Sequence, residues 1–253
     1  MSHRIWLIVL VLVMAPAIRA QGRGGPGGPP PTGKAAAPID VTGYWVSLIV
    51  DEWRFRVDPQ KGDIPYLPIN PAARRIAMAW DPGKDEAEGN QCKAYGAVGV
   101  MQRPGRLHIT WQDDSTLKME ADAGTQTRVL HFGAAAPPSG DPSWQGYSVA
   151  SWQVPNMGRG RGSIPVPARN GTLKVVTTNM RAGYLRKNGV PYGDKATLTE
   201  YINVLTGADN DSYIIDTAEL NDPMYLTQPF VRSYQFKKQP DGSGWDPTPC
   251  YAK

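Results

Sequence analysis

The chain has 253 residues, 41% of them hydrophobic, and carries 27 Lys and Arg against 23 Asp and Glu. Four of those cations and none of the acids fall in the first 39 residues, so residues 40–253 are electrically neutral. A neutral domain lacks the basic excess with which proteins bind nucleic acid or anionic membranes, and neither partner is expected.

The N-terminus reads "MSHRIWLIVLVLVMAPAIRA", a basic start, a short apolar run and a small residue at position 20. This pattern predicts a cleaved secretory signal peptide over residues 1–20, because the apolar run is too short to span a bilayer. We expect export to the periplasm or outside a bacterial cell, with no stable membrane insertion afterwards. Residues 21–39 are almost all Gly, Pro and Ala, which predicts a disordered leader before one domain at 40–253.

Strand signals dominate that domain, since short β-branched and aromatic runs alternate with turn residues. The sequence predicts strands at 43–50, 53–57, 98–102, 106–112, 116–122, 125–132, 144–152, 172–180, 197–205, 212–220 and 230–238. One short helix is expected near residues 70–80, where Asn70 can cap and Pro71 suits the first turn. The fold class is therefore mainly β: an antiparallel meander that closes into a barrel of about 8–10 strands.

In the second predicted strand, "DEWRFR", alternation places Arg54 and Arg56 on the face opposite Trp53 and Phe55. A salt-bridged surface is the expected role of these arginines.

One long loop, residues 154–171, interrupts the meander and is rich in Pro and Gly. It is interpreted either as a flap over a barrel mouth, where Arg159 and Arg161 would meet an anionic ligand, or as a solvated insertion.

Cys92 and Cys250 are the chain's two cysteines. An even count in an exported protein favours a disulfide, and two unpaired thiols are the alternative. Neither cysteine has a nearby Cys or His, so no metal site is expected. No cofactor is expected either.

The segment "DVTGYWVS" opens the first strand, and Gly43 with Trp45 resembles the G-x-W signature of lipocalins and other calycins. The resemblance implies a lipocalin-like barrel in which Trp45 closes the base beneath a basic residue of the last strand. Arg232 or Lys237 is the expected partner.

Nearly the whole domain also looks like a group of exported bacterial proteins of unknown function. The similarity lies in "GYWVSLIVDEWRFR", "KGDIPYLPIN", "AWDPGKDEAEGNQCKAYG", "RLHITWQDDSTLKMEADAGTQTR", "YLRKNGVPY", "TEYINVL" and "NDPMYLTQPF". It implies an exported protein and lends no activity.

The stretch 106–132 holds the candidate catalytic residues. A histidine beside a carboxylate is a general base near neutral pH, and an arginine can hold an anionic or carbonyl group. The candidates are His108, His131, Glu120, Asp122 and Arg128.

The strand register decides which of these side chains share a face. A two-residue turn at Ala123–Gly124 pairs Glu120 with Thr127, and a turn longer by one residue pairs it with Gln126. The polar faces either line the barrel lumen as a site or form a solvated outer surface.

A second candidate site is a hairpin around an Asn-Gly turn, where Tyr184 and Tyr192 are accompanied by Arg186 and Lys187. It is interpreted either as a rim for an aromatic ligand or as a plain structural hairpin. The candidate ligand-binding residues across both sites are Gln126, Arg128, Tyr184, Tyr192 and Trp111.

No hydrolase elbow, phosphate loop or zinc-protease motif is present. The sequence favours an exported small-molecule-binding barrel whose ligand is apolar or aromatic. Two alternatives stay open: an isomerase or lyase on the same barrel, and an envelope protein-interaction module. Oligomeric state is not predicted.

Overall fold

Nine strands close into a barrel in which the first strand pairs with both the second and the last. The structure is a computed structural model and describes residues 33–57, 59–133, 140–154 and 170–253. The predicted signal peptide, the leader as far as residue 32 and most of the 154–171 loop, including Arg159 and Arg161, lie outside the described residues.

The helices and strands have the following bounds. The strands are β1 Gly43–Leu48, β2 Arg106–Trp111, β3 Thr116–Ala121, β4 Gln126–Phe132, β5 Tyr147–Gln153, β6 Thr172–Thr178, β7 Gly183–Arg186, β8 Val190–Tyr192, β9 Thr197–Thr206, β10 Ser212–Asn221 and β11 Phe230–Gln239. The helices are α1 Trp53–Val57, α2 Pro71–Ala79, α3 Pro82–Ala87 and α4 Ala97–Val100, with a 3-10 helix at Gly33–Ala36.

The barrel order is β1-β11-β10-β9-β6-β5-β4-β3-β2, so the predicted closure and strand number are confirmed. The predicted antiparallel meander is wrong in one place, since β4 and β5 run parallel. Two parallel neighbours need a crossover between them, and residues 134–139 of this connection lie outside the described residues. The hairpin β7–β8 stands outside the barrel, and β6 pairs directly with β9.

Alternating apolar side chains fill the barrel interior. Leu107, Ile109, Leu117, Met119 and Leu130 point inward from β2, β3 and β4 and are almost fully buried. Most of their neighbours in sequence, such as His108, Lys118 and Glu120, are polar and face outward, which is the pattern expected of strands with one wet face.

The register between β3 and β4 pairs Glu120 with Thr127, as the two-residue turn requires. Thr125 donates its amide to the carbonyl of Asp122, and Gly124 takes a positive φ of 76°. Glycine tolerates that conformation at no steric cost.

Two predicted strands are helices instead. Residues 53–57 form α1, and residues 97–100 at the start of the predicted 98–102 strand form α4. Arg56 is drawn inward because its side chain donates to the carbonyls of Leu48 and Gln102, an arrangement that a β-strand alternation cannot supply. At α4 the backbones pack closely, since a Cβ on Gly99 would lie 2.2 Å from the Ala94 oxygen.

The predicted helix near 70–80 is α2, and Asn70 caps it by accepting from the Ala73 amide. It contacts β8, which belongs to the hairpin outside the barrel. Residues 33–39, which the sequence assigned to the leader, already belong to the folded body, because Trp152 donates its indole N–H to the Gly33 carbonyl.

The two ends of the barrel differ. At the base, Trp45 is fully buried and Lys238 lies over its ring, with Nζ 4.7 Å from the ring centroid. The prediction of Arg232 or Lys237 for this role is wrong. Lys237 faces outward to Asp211, and Arg232 lies at the other end of β11.

We call the other end the capped end, because α1, α4 and the hairpin β7–β8 cover it. The C-terminal tail also reaches this end, where Cys250 forms a disulfide with Cys92. The predicted disulfide is therefore confirmed. No helix among the described residues is long and apolar enough to cross a membrane.

Candidate functional site: a buried arginine cluster at the capped end

The two predicted histidines lie on the outer face of the barrel. His108 Nδ1 is 3.2 Å from Glu120 Oε2, and its ring stacks on Tyr44 with centroids 4.1 Å apart. His131 stacks on Tyr147 in the same way, at 4.8 Å. Both side chains are half-buried rather than enclosed.

The other two predicted catalytic residues, Asp122 and Arg128, do not join the histidines on the outer face. Asp122 is buried at the end of β3 and accepts the Arg106 amide at 2.7 Å. Arg128 points into the barrel. His108, His131 and Glu120 therefore share the outer face, while Arg128 is separated from them by the barrel wall.

The predicted ligand-binding residues fall at both ends of the barrel. Tyr184 donates its hydroxyl to Asp85, and the hydroxyl of Tyr192 is buried without a hydrogen-bond partner among the described residues. Gln126 packs against the disulfide, with Nε2 3.3 Å from Cys250 Sγ. Trp111 lies at the opposite end, in contact with Phe132. These residues do not form one site.

Inside the barrel lies a set of three charged side chains, which we call the interior triad: Arg128, Glu200 and Asp216. Arg128 and Glu200 form a two-point ion pair, with Nη1–Oε1 2.8 Å and Nη2–Oε2 2.6 Å. Thr177 accepts a further bond from Arg128. Although burial lowers the pKa of Arg128, Glu200 more than offsets this and the net pKa is raised.

Asp216 is the uncompensated member of the interior triad. Both of its oxygens are buried without a hydrogen-bond partner among the described residues. Burial raises the pKa of Asp216 well above its ordinary value of 3.8, Glu200 raises it further, and Arg128 opposes the shift. Burial therefore favours the protonated form of this carboxyl group.

Four arginines meet at the capped end, and we call them the cap arginine cluster: Arg56, Arg103, Arg186 and Arg232. The first three are 2 to 5% exposed. Buried arginines ordinarily have hydrogen-bond partners for most of their N–H groups, and their charge is ordinarily paired.

These three arginines are only partly satisfied. Arg56 Nη2, Arg103 Nε and Arg186 Nη1 are buried and have no hydrogen-bond partner among the described residues. Among the described residues, the carboxylates within 4 Å of the cluster are Glu52, 2.9 Å from Arg232 and 3.4 Å from Arg186, and Asp51, 3.7 Å from Arg56.

The pKa shifts record the same imbalance. Burial lowers the pKa of Arg103 to about 10; the hydroxyls of Tyr95 and Tyr234 oppose the shift, and the charge of Arg56 adds to it. Burial also lowers the pKa of Arg56 and of Arg186. Arg128, with its two-point carboxylate partner, shifts the other way, although its Nε also has no hydrogen-bond partner among the described residues. In the part of the chain that the structure describes, the cap arginine cluster therefore holds more buried cations than carboxylates.

Aromatic rings surround the guanidinium groups. Arg186 lies 4.4 Å from the centroid of Phe55, Arg56 5.4 Å from that of Tyr234, and Arg232 4.8 Å from that of Phe230. Tyr234 also connects the cluster to the interior triad, because it is paired with Asp216 across β10 and β11. Stacked guanidinium groups keep their N–H edges free for a ligand.

An apolar cavity of about 10 Å³ lies beside Tyr234, between the barrel wall and the cap. It is lined by Val98, Leu185, Leu198, Ala218, Leu220, Phe230 and Tyr234. A cavity of this size holds about one water molecule, so the cap must move for a larger molecule to enter.

Sequence reasoning missed most of the cap arginine cluster. Arg56 was assigned to a solvated face because α1 was taken for a strand, and Arg103 carries no motif. Arg186 was named only as part of a hairpin rim. A cluster of arginines drawn from four separate segments, three of them buried, leaves no local sequence signal.

No family model matches the chain, and neither the curated proteins nor the solved structures include a match.

Proposed function

We propose that this protein binds a small molecule at the capped end of its barrel, and that the ligand presents a hydrogen-bond-accepting, negatively charged or carbonyl group to the cap arginine cluster. The observation that carries the proposal is the set of unpartnered buried N–H groups on Arg56, Arg103 and Arg186. Each such group costs about 1–3 kcal/mol of stability, which a ligand would recover.

The capped end is favoured over the lumen as the place of binding. Interior side chains such as Leu117 and Ile202 are 0–1% exposed, and they fill the barrel between its walls. Sites for drug-sized ligands usually enclose about 300–1,000 Å³. The apolar cavity next to Tyr234 is far smaller, so binding depends on movement of the cap.

The rings of Phe55, Tyr234 and Phe230 support an apolar or aromatic body for the ligand, since they adjoin the guanidinium groups. The disulfide between Cys92 and Cys250 supports an oxidising compartment outside the cytoplasm, such as the bacterial periplasm.

The test is binding from a mixed metabolite extract, followed by mass spectrometry of the bound fraction. Arg103→Met removes a guanidinium whose buried Nε has no hydrogen-bond partner among the described residues, and Arg75→Met, on the exposed face of α2, is the matched control. We expect a compound retained unchanged by the wild type and by Arg75→Met and lost from Arg103→Met. Equal retention by all three proteins would remove the cluster as the binding site.

A second candidate function is a protein-interaction module, and one observation favours it. Four large apolar side chains between residues 50 and 66 are exposed: Val50, Trp53, Val57 and Tyr66, the last by 91%. Exposed apolar side chains on one segment are typical of contact surfaces. If Trp53→Ser abolishes capture of a cellular protein while binding from the extract is absent, this second function replaces the first.

A further inference from the structure

We propose that the ligand is a carboxylic acid whose carboxylate takes the place of Glu52 at the cap arginine cluster. The inference rests on the proposed function and names the ligand chemistry of that same site. Glu52 then acts as an internal stand-in, which covers part of the cluster until the ligand arrives.

The contacts of Glu52 are those of a loosely held occupant. Its carboxylate accepts from Arg232 Nε at 2.9 Å, but both of its oxygens are 3.4 Å from Arg186 Nη2. Charge-assisted hydrogen bonds are normally about 2.7–2.9 Å long, so the contact with Arg186 is weak. The side chain is 27% exposed, whereas that of Arg186 is 2% exposed.

The backbone that presents Glu52 is strained. Glu52 has a φ of 48°, a left-handed conformation that costs a non-glycine residue free energy. Its carbonyl accepts from the amides of Phe55 and Arg56, which begin α1. Release of the Glu52 carboxylate can therefore be coupled to a change at the start of this five-residue helix.

Few buried side chains hold α1 in place. Trp53 is 69% exposed and Val57 is 55% exposed, and Arg56 is the one buried side chain of the helix. A segment with so little buried apolar surface lies at the low end of local stability. Displacement of Glu52 and of the exposed Trp53 at the start of α1 would open the path to Arg186, while Arg56 keeps its bonds to the carbonyls of Leu48 and Gln102.

A carboxylate fits the site because guanidinium groups bind a planar pair of oxygens in two-point geometry, as Arg128 and Glu200 already do inside the barrel. The apolar lining beside Tyr234 suits the remainder of an organic acid. A fully hydrated inorganic phosphate would gain nothing from that lining.

The experiment measures binding of benzoate to the purified, disulfide-bonded protein by titration calorimetry. Benzamide is the uncharged comparison of the same shape, and inorganic phosphate is the anion without an apolar body. The variants are Glu52→Gln, which removes the internal carboxylate but keeps its size, and Arg186→Met, which removes a cluster guanidinium. Glu88→Gln, in an exposed ion pair with Lys84, is the control.

We expect Glu52→Gln to bind benzoate about tenfold more tightly than the wild type, because the internal carboxylate no longer competes for Arg186 and Arg232. Glu88→Gln should match the wild type, Arg186→Met should bind at least tenfold more weakly, and benzamide and phosphate should bind weakly to all. A second measurement covers the case in which Glu52→Gln does not fold. Amide exchange at Phe55 and Arg56 in the wild type should speed up on benzoate addition.

Unchanged or weaker benzoate binding by Glu52→Gln would overturn the role of Glu52, as would slower amide exchange at Phe55 and Arg56. Equal binding of benzamide, or tighter binding of phosphate, would overturn the carboxylate class. If the protein binds none of the three probes but retains another compound from the extract, and Arg103→Met loses it, this inference is refuted. The proposed function is then still supported.

Discussion

Arg128 and Glu200 meet inside the barrel in a two-point ion pair that bridges β4 and β9, two strands separated by β5 and β6. Both side chains are at most 2% exposed. The pair therefore connects positions 72 residues apart in sequence. Removing either residue leaves the other charge buried, where water does not solvate it.

Glu200→Gln should lower the free energy of unfolding by about 3–5 kcal/mol, because it leaves the Arg128 charge buried without its partner. Replacing both residues with Arg128→Met and Glu200→Leu should restore most of the loss. Urea unfolding checks both values, with Glu88→Gln as a surface control expected to change stability by under about 0.5 kcal/mol. A loss for Glu200→Gln no larger than that of the control would contradict the pairing.

Asp216 should make the protein less stable as the pH rises. Because burial raises the pKa of Asp216, the folded protein holds this proton to a higher pH than the unfolded chain, which releases it above the ordinary pKa of 3.8. The stabilisation is complete below that pH and is lost as the pH rises towards the folded pKa, by about 1.4 kcal/mol per pH unit. Asp216→Asn should remove this slope.

The measurement is the free energy of unfolding of the wild type and of Asp216→Asn from pH 4 to pH 8. The difference between the two should shift steadily in favour of the variant as the pH rises. Parallel curves over the whole range would mean that Asp216 is ionised in the folded protein.

Arg103→Met should raise stability while it abolishes ligand binding. The wild type keeps a guanidinium in a fully buried place where burial lowers its pKa to about 10. Replacing such a charge with an apolar side chain is expected to gain about 1–3 kcal/mol. Thermal unfolding in the absence of ligand gives the sign, and a marked loss of stability would show that Arg103 is a structural residue.

Reduction of the disulfide should release the C-terminal tail from the capped end. Removing a native disulfide from a small exported domain typically costs about 2–5 kcal/mol, and a loop as long as the one between Cys92 and Cys250 lies near the upper limit. The double variant Cys92→Ala with Cys250→Ala should have the same free energy of unfolding as the wild type measured under reducing conditions. If neither differs from the oxidised protein, the tail is held by other contacts.

Lys238→Met should cost about 1 kcal/mol, since it removes the cation above the Trp45 ring and the bond from Nζ to the Thr42 carbonyl. Lys237→Met, one residue earlier and on the outer face, should change stability by less than about 0.5 kcal/mol. If the two variants lose the same free energy of unfolding, the contact between Lys238 and Trp45 does not stabilise the protein.

The barrel could be predicted from sequence because alternation and turn residues are local signals. Neighbouring residues alone indicate the period-two pattern of β2, β3 and β4, and they also indicate the cap of α2 by Asn70. Residues 53–57 show where this fails: their composition favours a strand, but Arg56 is pulled inward by carbonyls at Leu48 and Gln102. Tertiary contacts of that kind override propensity.

The interior charges were less predictable than the fold. Alternation places Arg128 on the same face as Leu130, which is a local signal that this arginine is buried. Its partner Glu200 lies 72 residues further along the chain, and no spacing rule connects the two. The prediction placed the basic residue over Trp45 correctly on β11 but named Arg232 or Lys237, and Lys237 is one position before Lys238. A shift of one residue in a strand exchanges the inner and outer faces, so Lys237 points outward.

The pairing of β1 with β11 has a consequence for how the protein reaches its native state. Residues 44–48 are hydrogen-bonded to residues 235–239, so closure of the barrel joins the two ends of the domain. Folds with such distant pairings have high contact order and fold in milliseconds to seconds rather than microseconds. The barrel cannot close until the last strand has been synthesised, so until then β1 lacks its hydrogen-bonded partner β11.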